Sequence, residues 1–384
     1  MDVIGDAPKA PGRPARPRGP GRRGRQVLGV VAVLGLLGYA VTHRVSAPPA
    51  AGTRPGPDLS APAGVLTGRP GFGPAGLRVL LTGASLRIVD LHTGGQQPVS
   101  GLPDGVDGAH AAPVQGGLIV YAGGAGSVDS YLVRPGLPTR LVVRNGVALP
   151  SWDGRGLVVV ALPLGSEQYA VTGQTLAGRR QWHWLASNHA LVIRDTRYGL
   201  LVQDTDPPPD PQRLRLVRRE TGQVLRQLRA TTVAVGDESV AHLRPGCARR
   251  CVLAVTGLAT GAATPYPLPD EPATGHGSLS PGGRWLAMTV PAGPAPGVPP
   301  DRPSSVAVLD LRTGTVTAVP GLALPPGQTP MLDWSADGRS LIVAVPGADT
   351  VRLGIWRPGT PRTPVTVLPT PYRADNRTSL TVLP

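Results

Sequence analysis

The chain has 384 residues, with 38 Lys and Arg against 24 Asp and Glu, which gives a formal net charge of +14. Gly and Pro, at 52 and 46 residues, separate alternating Val, Leu and Ile segments, so the composition excludes low-complexity disorder. Only 4% of the residues are aromatic, which excludes an aromatic core and favours aliphatic side chains between packed sheets.

The basic charge is concentrated at the N-terminus. Residues 1–26 hold seven basic side chains against two acidic ones, and the remaining excess is scattered along the chain. No basic helix and no alternation of Arg with stacking aromatic residues follows, so we expect no nucleic-acid partner.

An uncharged apolar run extends from Val27 to Thr42 and is followed by His43 and Arg44. At about 1.5 Å per residue it covers roughly 24 Å, slightly less than the ~30 Å hydrocarbon core. We predict a single transmembrane signal-anchor helix over 27–45, with the tail 1–26 cytoplasmic and the rest extracytoplasmic. A cleaved signal peptide is the alternative, although Pro48 directly after the small residues disfavours cleavage there.

Residues 46–63 are rich in Pro and Ala and have little to bury, which predicts an extended linker at the cell membrane. The chain from 64 to 384 then forms one extracytoplasmic domain.

Within that domain a strand, a tight Gly turn and another strand recur with a period of roughly 44 residues. This spacing predicts an all-β fold, a seven-bladed β-propeller, with six or eight blades as alternatives. The turn glycines are Gly94, Gly136, Gly178 (or Gly173), Gly222, Gly261, Gly314 and Gly359.

Each turn is preceded by two apolar strands. In the fourth blade we assign the segment 190–193 as the second strand and 214–217 as the third. The ring would close through a blade shared between Val65–Thr67 and Thr378–Leu383.

A second pattern, Ser-x-x-Gly-Arg or Ser-x-Asp-Gly-Arg, precedes the second strand at 151–155, 280–284 and 335–339. With the Asp-x-x-Thr-Gly turn at 310–314, these stretches resemble the TolB-like, or PD40, family of WD40-like propellers. The resemblance implies a propeller that binds proteins or ligands, and it carries over no catalytic residue.

Three consecutive blades carry irregular insertions after their second strands, at 204–211, 245–251 and 291–303. Propellers bind partners through such loops, although surface loops also vary freely in length. The candidate binding residues are Asp204, Asp206, Asp210, Arg249, Arg250, Asp301 and Arg302.

Cys247 and Cys251 are the only cysteines, and in an oxidising compartment a pair this close is expected to form a disulfide. A metal site would need more ligands nearby. The acidic residues around 204–210 lack the Gly turn and late Glu of a calcium loop. We therefore expect no metal and no cofactor.

No nucleophile elbow, zinc-binding helix or phosphate loop is present in the sequence. The function that fits is a membrane-tethered, non-enzymatic binding module for an envelope protein or an anionic surface polymer. The alternative is a lyase-like or glycosidase-like enzyme with its site in the central channel, where Asp333 is one of the few acids expected.

Overall fold

The computed structural model describes residues 76–81, 86–99, 102, 108–122, 128–161, 167–204, 213–244, 252–268, 276–290, 304–324, 329–347, 350–363, 365–369 and 379–383. These residues form seven four-stranded antiparallel sheets, so the fold is all-β and the propeller has seven blades. The described ranges contain no helix that could cross a membrane. The predicted anchor at 27–45 and the linker lie outside them.

The first four blades in chain order contain strands β1 to β15. Blade 1 has β1 (Arg78–Leu81), β2 (Arg87–Asp90) and β3 (Gln96–Pro98); blade 2 has β4 (Gly108–Val114), β5 (Gly117–Ala122), β6 (Asp129–Val133) and β7 (Arg140–Val143). Blade 3 has β8 (Gly146–Pro150), β9 (Gly156–Ala161), β10 (Gln168–Thr175) and β11 (Arg180–Ser187); blade 4 has β12 (Ala190–Thr196), β13 (Gly199–Asp204), β14 (Arg213–Val217) and β15 (Val224–Arg229).

The remaining blades contain strands β16 to β28. Blade 5 has β16 (Thr231–Val235), β17 (Ser239–Leu243), β18 (Val252–Gly257) and β19 (Ala263–Pro267); blade 6 has β20 (Ser278–Leu279), β21 (Trp285–Val290), β22 (Ser304–Asp310) and β23 (Val316–Leu324). Blade 7 has β24 (Met331–Trp334), β25 (Leu341–Pro346), β26 (Thr350–Trp356) and β27 (Val365–Pro369), and β28 (Leu380–Leu383) joins blade 1.

The first strands of neighbouring blades contact one another and surround the central channel. Because antiparallel strands reverse at every turn, the first-to-second and third-to-fourth turns lie on one side of the ring, here called the turn face. The second-to-third loops and the connections between blades lie on the other side, here called the insertion face.

The ring closes through the C-terminal strand. β28 pairs with β1 as the innermost strand of blade 1, with Val382 opposite Val79. The C-terminal half of the predicted shared blade is therefore correct, whereas Val65–Thr67 lie outside the described residues. Closure ties the two ends of the repeat array into one ring.

All seven turn glycines adopt positive φ, between 70° and 91°, a region that favours glycine. Gly178 is the turn residue of blade 3. The alternative, Gly173, lies inside β10, where a Cβ would overlap the ring of Trp182.

One strand assignment was wrong. The segment 190–193 belongs to β12, the first strand of blade 4, and the second strand is β13. Both segments are apolar and buried, and the Arg197–Tyr198 turn between them lacks the Asp-Gly signature, so the hydrophobic pattern could not separate the two.

Neighbouring blades are joined by a repeated hydrogen bond near the turn face. A side chain of one blade's fourth strand donates to a backbone carbonyl in the third-to-fourth turn of the next blade. The pairs are Arg140 to Leu176 at 2.8 Å, Trp184 to Arg219 at 2.8 Å, Arg226 to Ala259 at 2.6 Å and Tyr266 to Leu311 at 2.6 Å.

These contacts explain why three of the turns have no room for a side chain. A Cβ on Gly178 or Gly261 would meet the guanidinium of Arg140 or Arg226 at 2.4 Å, and one on Gly222 would meet the ring of Trp184 at 2.8 Å. Between the blades the core is mainly aliphatic, as the composition predicts, although Trp334 and Trp356 are also buried there.

Candidate functional site

The three insertions follow β13, β17 and β21, the second strands of blades 4, 5 and 6. The strand order therefore brings them to the insertion face of consecutive blades. Most of the predicted residues themselves lie outside the described ranges, so their binding role and the disulfide stay predictions. Those residues are Asp206, Asp210, Cys247, Arg249, Arg250, Cys251, Asp301 and Arg302.

Asp204 is the one predicted binding residue that the structure describes. It is the last residue of β13, and its carboxylate lies 2.5 Å from the guanidinium of Arg215 in β14. Both side chains are half-buried. The pair therefore joins two strands of one blade at the base of the insertion.

The channel contains Asp333, as the sequence predicted, in the innermost strand of blade 7. One carboxylate oxygen accepts a hydrogen bond from the backbone N–H of Val382 at 2.8 Å. The other accepts one from the backbone N–H of Trp334, the next residue in the chain, at 2.9 Å. Burial raises the pKa of Asp333 to about 6, although these hydrogen bonds and the charge of Arg194 act in the opposite direction. The carboxylate thus links blade 7 to the closing strand of blade 1.

A second carboxylate, Asp195, is buried near the end of β12. Its carboxylate accepts hydrogen bonds from the guanidinium of Arg219 at 2.6 Å and from the backbone N–H of Trp152 at 3.1 Å. Arg219 also donates to the carbonyl of Thr196. Burial raises the pKa of Asp195 in spite of the Arg219 charge. This network connects two turns of blade 4 with the first turn of blade 3.

At the turn-face end of the channel, Arg194 of β12 reaches into blade 5. Its guanidinium lies 2.7 Å from the carboxylate of Asp237 and also donates to the carbonyl of Val235. A neighbouring pair, Arg197 and Glu238, lies at 2.9 Å on the exposed surface. Local sequence patterns do not predict these pairs, because the partners come from different blades.

The imidazole of His242 in β17 is buried, and its Nε2 lies 2.9 Å from the hydroxyl of Thr256. Burial lowers the pKa of His242. The described ranges contain no group of three or more His, Cys, Asp or Glu side chains arranged to hold a metal ion.

The Ser-x-Asp-Gly-Arg pattern builds the turn itself. In blade 7, the hydroxyl of Ser335 donates to Asp337 at 2.6 Å and accepts the N–H of Ser340 at 2.9 Å. Asp337 also accepts a hydrogen bond from the N–H of Arg339 at 3.0 Å. The hydrogen bond from Ser335 is the largest of the effects that lower the pKa of Asp337. Blade 3 repeats these bonds. The residues that carry the family resemblance are therefore structural.

Two tryptophans of β11, Trp182 and Trp184, also have structural roles. Trp184 packs against the turn of blade 4 and donates to Arg219, while Trp182 covers Gly173 within blade 3. His183, between them, is exposed.

The exposed large apolar side chains were not predicted. Within the described ranges all of them belong to blades 2, 3 and 4, namely Leu137, Leu141, Trp152, Leu185, Val224 and Leu225. Each lies in a turn or in an outermost strand, where alternation of polar and apolar residues does not indicate which side chains stay uncovered.

Comparison with solved structures finds similar chains at low sequence identity. The chain is similar to TolB from Acinetobacter baumannii, with 13% identity and a TM-score of 0.42 over 80% of this chain, and it spans 63% of that chain. The expected similarity to TolB-like propellers is confirmed, and at this identity it concerns the fold alone.

Two other structures are similar over most of their own length. A putative 6-phosphogluconolactonase from Bacteroides fragilis shares 10% identity, with a TM-score of 0.50 over 81% of this chain and 100% of its own. A variant of the apocarotenoid oxygenase from Synechocystis shares 10%, with a TM-score of 0.51 over 83% and 94%. No protein-family model matches the sequence, and neither does any curated protein.

Proposed function

We propose that this chain is a membrane-tethered, non-enzymatic propeller that binds an envelope protein or an anionic surface polymer outside the cytoplasm. The apolar run from Val27 to Thr42 after the basic tail supports a single-pass anchor over 27–45 in the cell membrane, with the N-terminus cytoplasmic. The similar structures do not decide the activity, because one fold hosts many functions.

The observation that carries the binding role is that the acids around the channel are engaged in structural hydrogen bonds and ion pairs. Asp333 accepts a hydrogen bond from the closing strand, Asp195 pairs with Arg219, and Asp237 pairs with Arg194. Each of these described carboxylates joins two blades or two turns. A pair of carboxylates facing one reacting bond, as hydrolysis of a glycoside requires, is not formed by them.

The insertion face supports the same proposal. Three consecutive blades carry sequence insertions after the strands that end on this face, and irregular loops on a scaffold of paired strands are typical of recognition surfaces. The basic excess of the chain favours an anionic partner, and salt would weaken that attraction.

The test replaces loops at equal length. Residues 205–212 and 291–303 would be exchanged for Gly-Ser sequence in the full chain, and partners would be recovered from native membranes by crosslinking. The matched control exchanges 162–166, a second-to-third loop of blade 3 on the same face. We expect the partner to be lost with the first two exchanges and kept with the control. Retention of the partner in all three variants would contradict the proposal.

One observation favours an enzyme as the second candidate. Asp333 has a pKa of about 6 and lies in an innermost strand, which suits a general acid or base near neutral pH. If the chain is a lyase-like or glycosidase-like enzyme, Asp333→Asn must abolish its turnover of oligosaccharides. If the chain is a binding module, Asp333→Asn keeps the partner.

A further inference from the structure

The exposed apolar side chains of the described ranges cluster near the turn face. Of the six, Leu137 and Trp152 lie in turns on this face, and Leu141, Val224 and Leu225 begin the fourth strands that leave it. They belong to blades 2, 3 and 4, which are adjacent in the ring. Several apolar side chains on one side of three neighbouring blades form a candidate interaction surface, here called the apolar half of the turn face.

Trp152 is held in place by its turn. Its backbone N–H donates to the buried Asp195, and Ser151 and Asp153 on either side are joined by a 2.6 Å hydrogen bond. Its side chain is nevertheless 46% exposed. The turn therefore holds the backbone of Trp152 in place while its indole ring stays exposed.

The apolar half also carries positive charge. The exposed arginines in its turns are Arg155, Arg179, Arg180, Arg197 and Arg218, against the exposed acids Asp153 and Glu220. In blades 5, 6, 7 and 1 the exposed turn arginines are Arg284, Arg312, Arg339, Arg357 and Arg362, against the exposed acids Asp237, Glu238 and Asp337, so these turns are basic as well. The whole turn face is therefore basic, and the exposed apolar side chains distinguish the apolar half from the turns of blades 5, 6, 7 and 1, here called the mixed half.

The chain enters the ring on this same face. Arg78 begins β1, a second strand, and second strands start at the turn face. The linker and the predicted anchor 27–45 precede this point in the sequence. The turn face is therefore the side of the ring that the tether reaches first.

We propose that the apolar half of the turn face lies against the surface of an anionic lipid bilayer. Trp152 and Leu137 occupy the headgroup region, where amphipathic and apolar side chains are stabilised, and Arg179 and Arg180 bind lipid phosphates. The bilayer is the one that holds the anchor, so this inference rests on the tether in the proposed function. The insertion face then points away from the membrane.

Tryptophan fluorescence can test the contact, because all six tryptophans lie at or after position 152 and none lies near the predicted anchor. The full chain would be reconstituted into vesicles of phosphatidylglycerol and phosphatidylcholine whose acyl chains carry bromine, a quencher at short range. We expect quenching that is lost in Trp152→Phe and in vesicles of phosphatidylcholine alone. Equal quenching in Trp152→Phe, or none in anionic vesicles, would overturn the proposal.

Substitution of arginines tests whether the contact is confined to the apolar half of the turn face. Arg179→Gln with Arg180→Gln should weaken the docking equilibrium by about fivefold per arginine, while Arg312→Gln with Arg362→Gln, on the mixed half, should leave it unchanged. Equal effects of the two double variants would contradict a localised surface. Shielding of Trp152 from an aqueous quencher in native membranes but not in protein-free lipid would indicate a protein partner and overturn the lipid proposal.

Flotation separates this inference from the tether. In roughly 1 M salt, surface attraction is screened and only an inserted helix keeps the chain with the vesicles. Flotation without quenching of Trp152 overturns the docking alone. Failure to float in high salt overturns the tether, and quenching at low salt would then support docking by the surface itself.

Discussion

The carboxylate of Asp333 accepts a hydrogen bond from the backbone N–H of Val382, at 2.8 Å and across 49 positions of sequence. The bond joins the innermost strand of the last blade to the strand that completes the first. The same carboxylate is half-buried and has a pKa of about 6. Closure of the ring therefore depends on a group that titrates near neutral pH.

The first prediction concerns that titration. A carboxyl whose pKa rises from 3.8 to about 6 on folding stabilises the fold when protonated, and this contribution is lost as pH rises through about 6. Wild type should gain up to about 2 kcal/mol from this group between about pH 7.5 and pH 4.5, and Asp333→Asn should not. Urea unfolding at the two pH values measures the difference. The same pH dependence in both proteins would show that Asp333 is not the group.

The second prediction concerns the closing strand itself. Val382→Pro removes the N–H that Asp333 accepts, and deletion of 379–384 removes β28 and exposes the edge of β1. The substitution should cost about 1 to 3 kcal/mol of unfolding free energy. The deletion should lower the thermal midpoint of the whole domain, because each blade depends on its neighbours. A deletion that leaves the thermal transition unchanged would refute closure through the C-terminus.

The third prediction separates two roles of the turn glycines. At Gly94 (φ 74°) an added Cβ meets nothing, whereas at Gly222 (φ 70°) it meets the ring of Trp184 at 2.8 Å. Gly94→Ala should cost about 1 kcal/mol for the backbone alone. Gly222→Ala should cost about 2 to 3 kcal/mol, because the ring must also move. Equal denaturation midpoints would mean that the contact between the blades contributes nothing.

The fourth prediction compares a buried ion pair with an exposed one. Asp195→Ala leaves the Arg219 guanidinium without its buried carboxylate and frees the N–H of Trp152, so we expect a loss of about 3 kcal/mol. Arg339→Gln breaks a 4.0 Å surface contact with Asp337 and should change stability by less than about 0.5 kcal/mol. Chemical denaturation of both variants measures the two losses of stability. Equal losses would contradict the prediction.

The sequence predicted the parts of the fold that depend on local chemistry. The positive φ of Gly94 or Gly314 and the turn at Asp337 follow from residue type and spacing, and the period of these signals set the number of blades. The second strand of blade 4 was misplaced because the turn at Arg197 lacks those signals. Hydrophobic alternation alone does not indicate where such a chain reverses.

Contacts between blades could not be predicted in the same way. The pairs Asp195–Arg219 and Arg194–Asp237 depend on how two strands or two blades are placed relative to each other. The exposure of Trp152 is likewise a tertiary property. Asp333 was singled out because an acid in a first strand is rare in this chain, and the sequence could not reveal that its partner is Val382.

The measurement that tests the central claim most directly is site-specific photocrosslinking of the full chain in its native membrane. A photoreactive residue at Pro208 or Ala295, in the insertions of blades 4 and 6, should crosslink an envelope protein or a surface polymer. The same residue at Leu137, on the turn face, should crosslink lipid. Crosslinking of the macromolecule from Leu137 and from neither insertion would contradict the account.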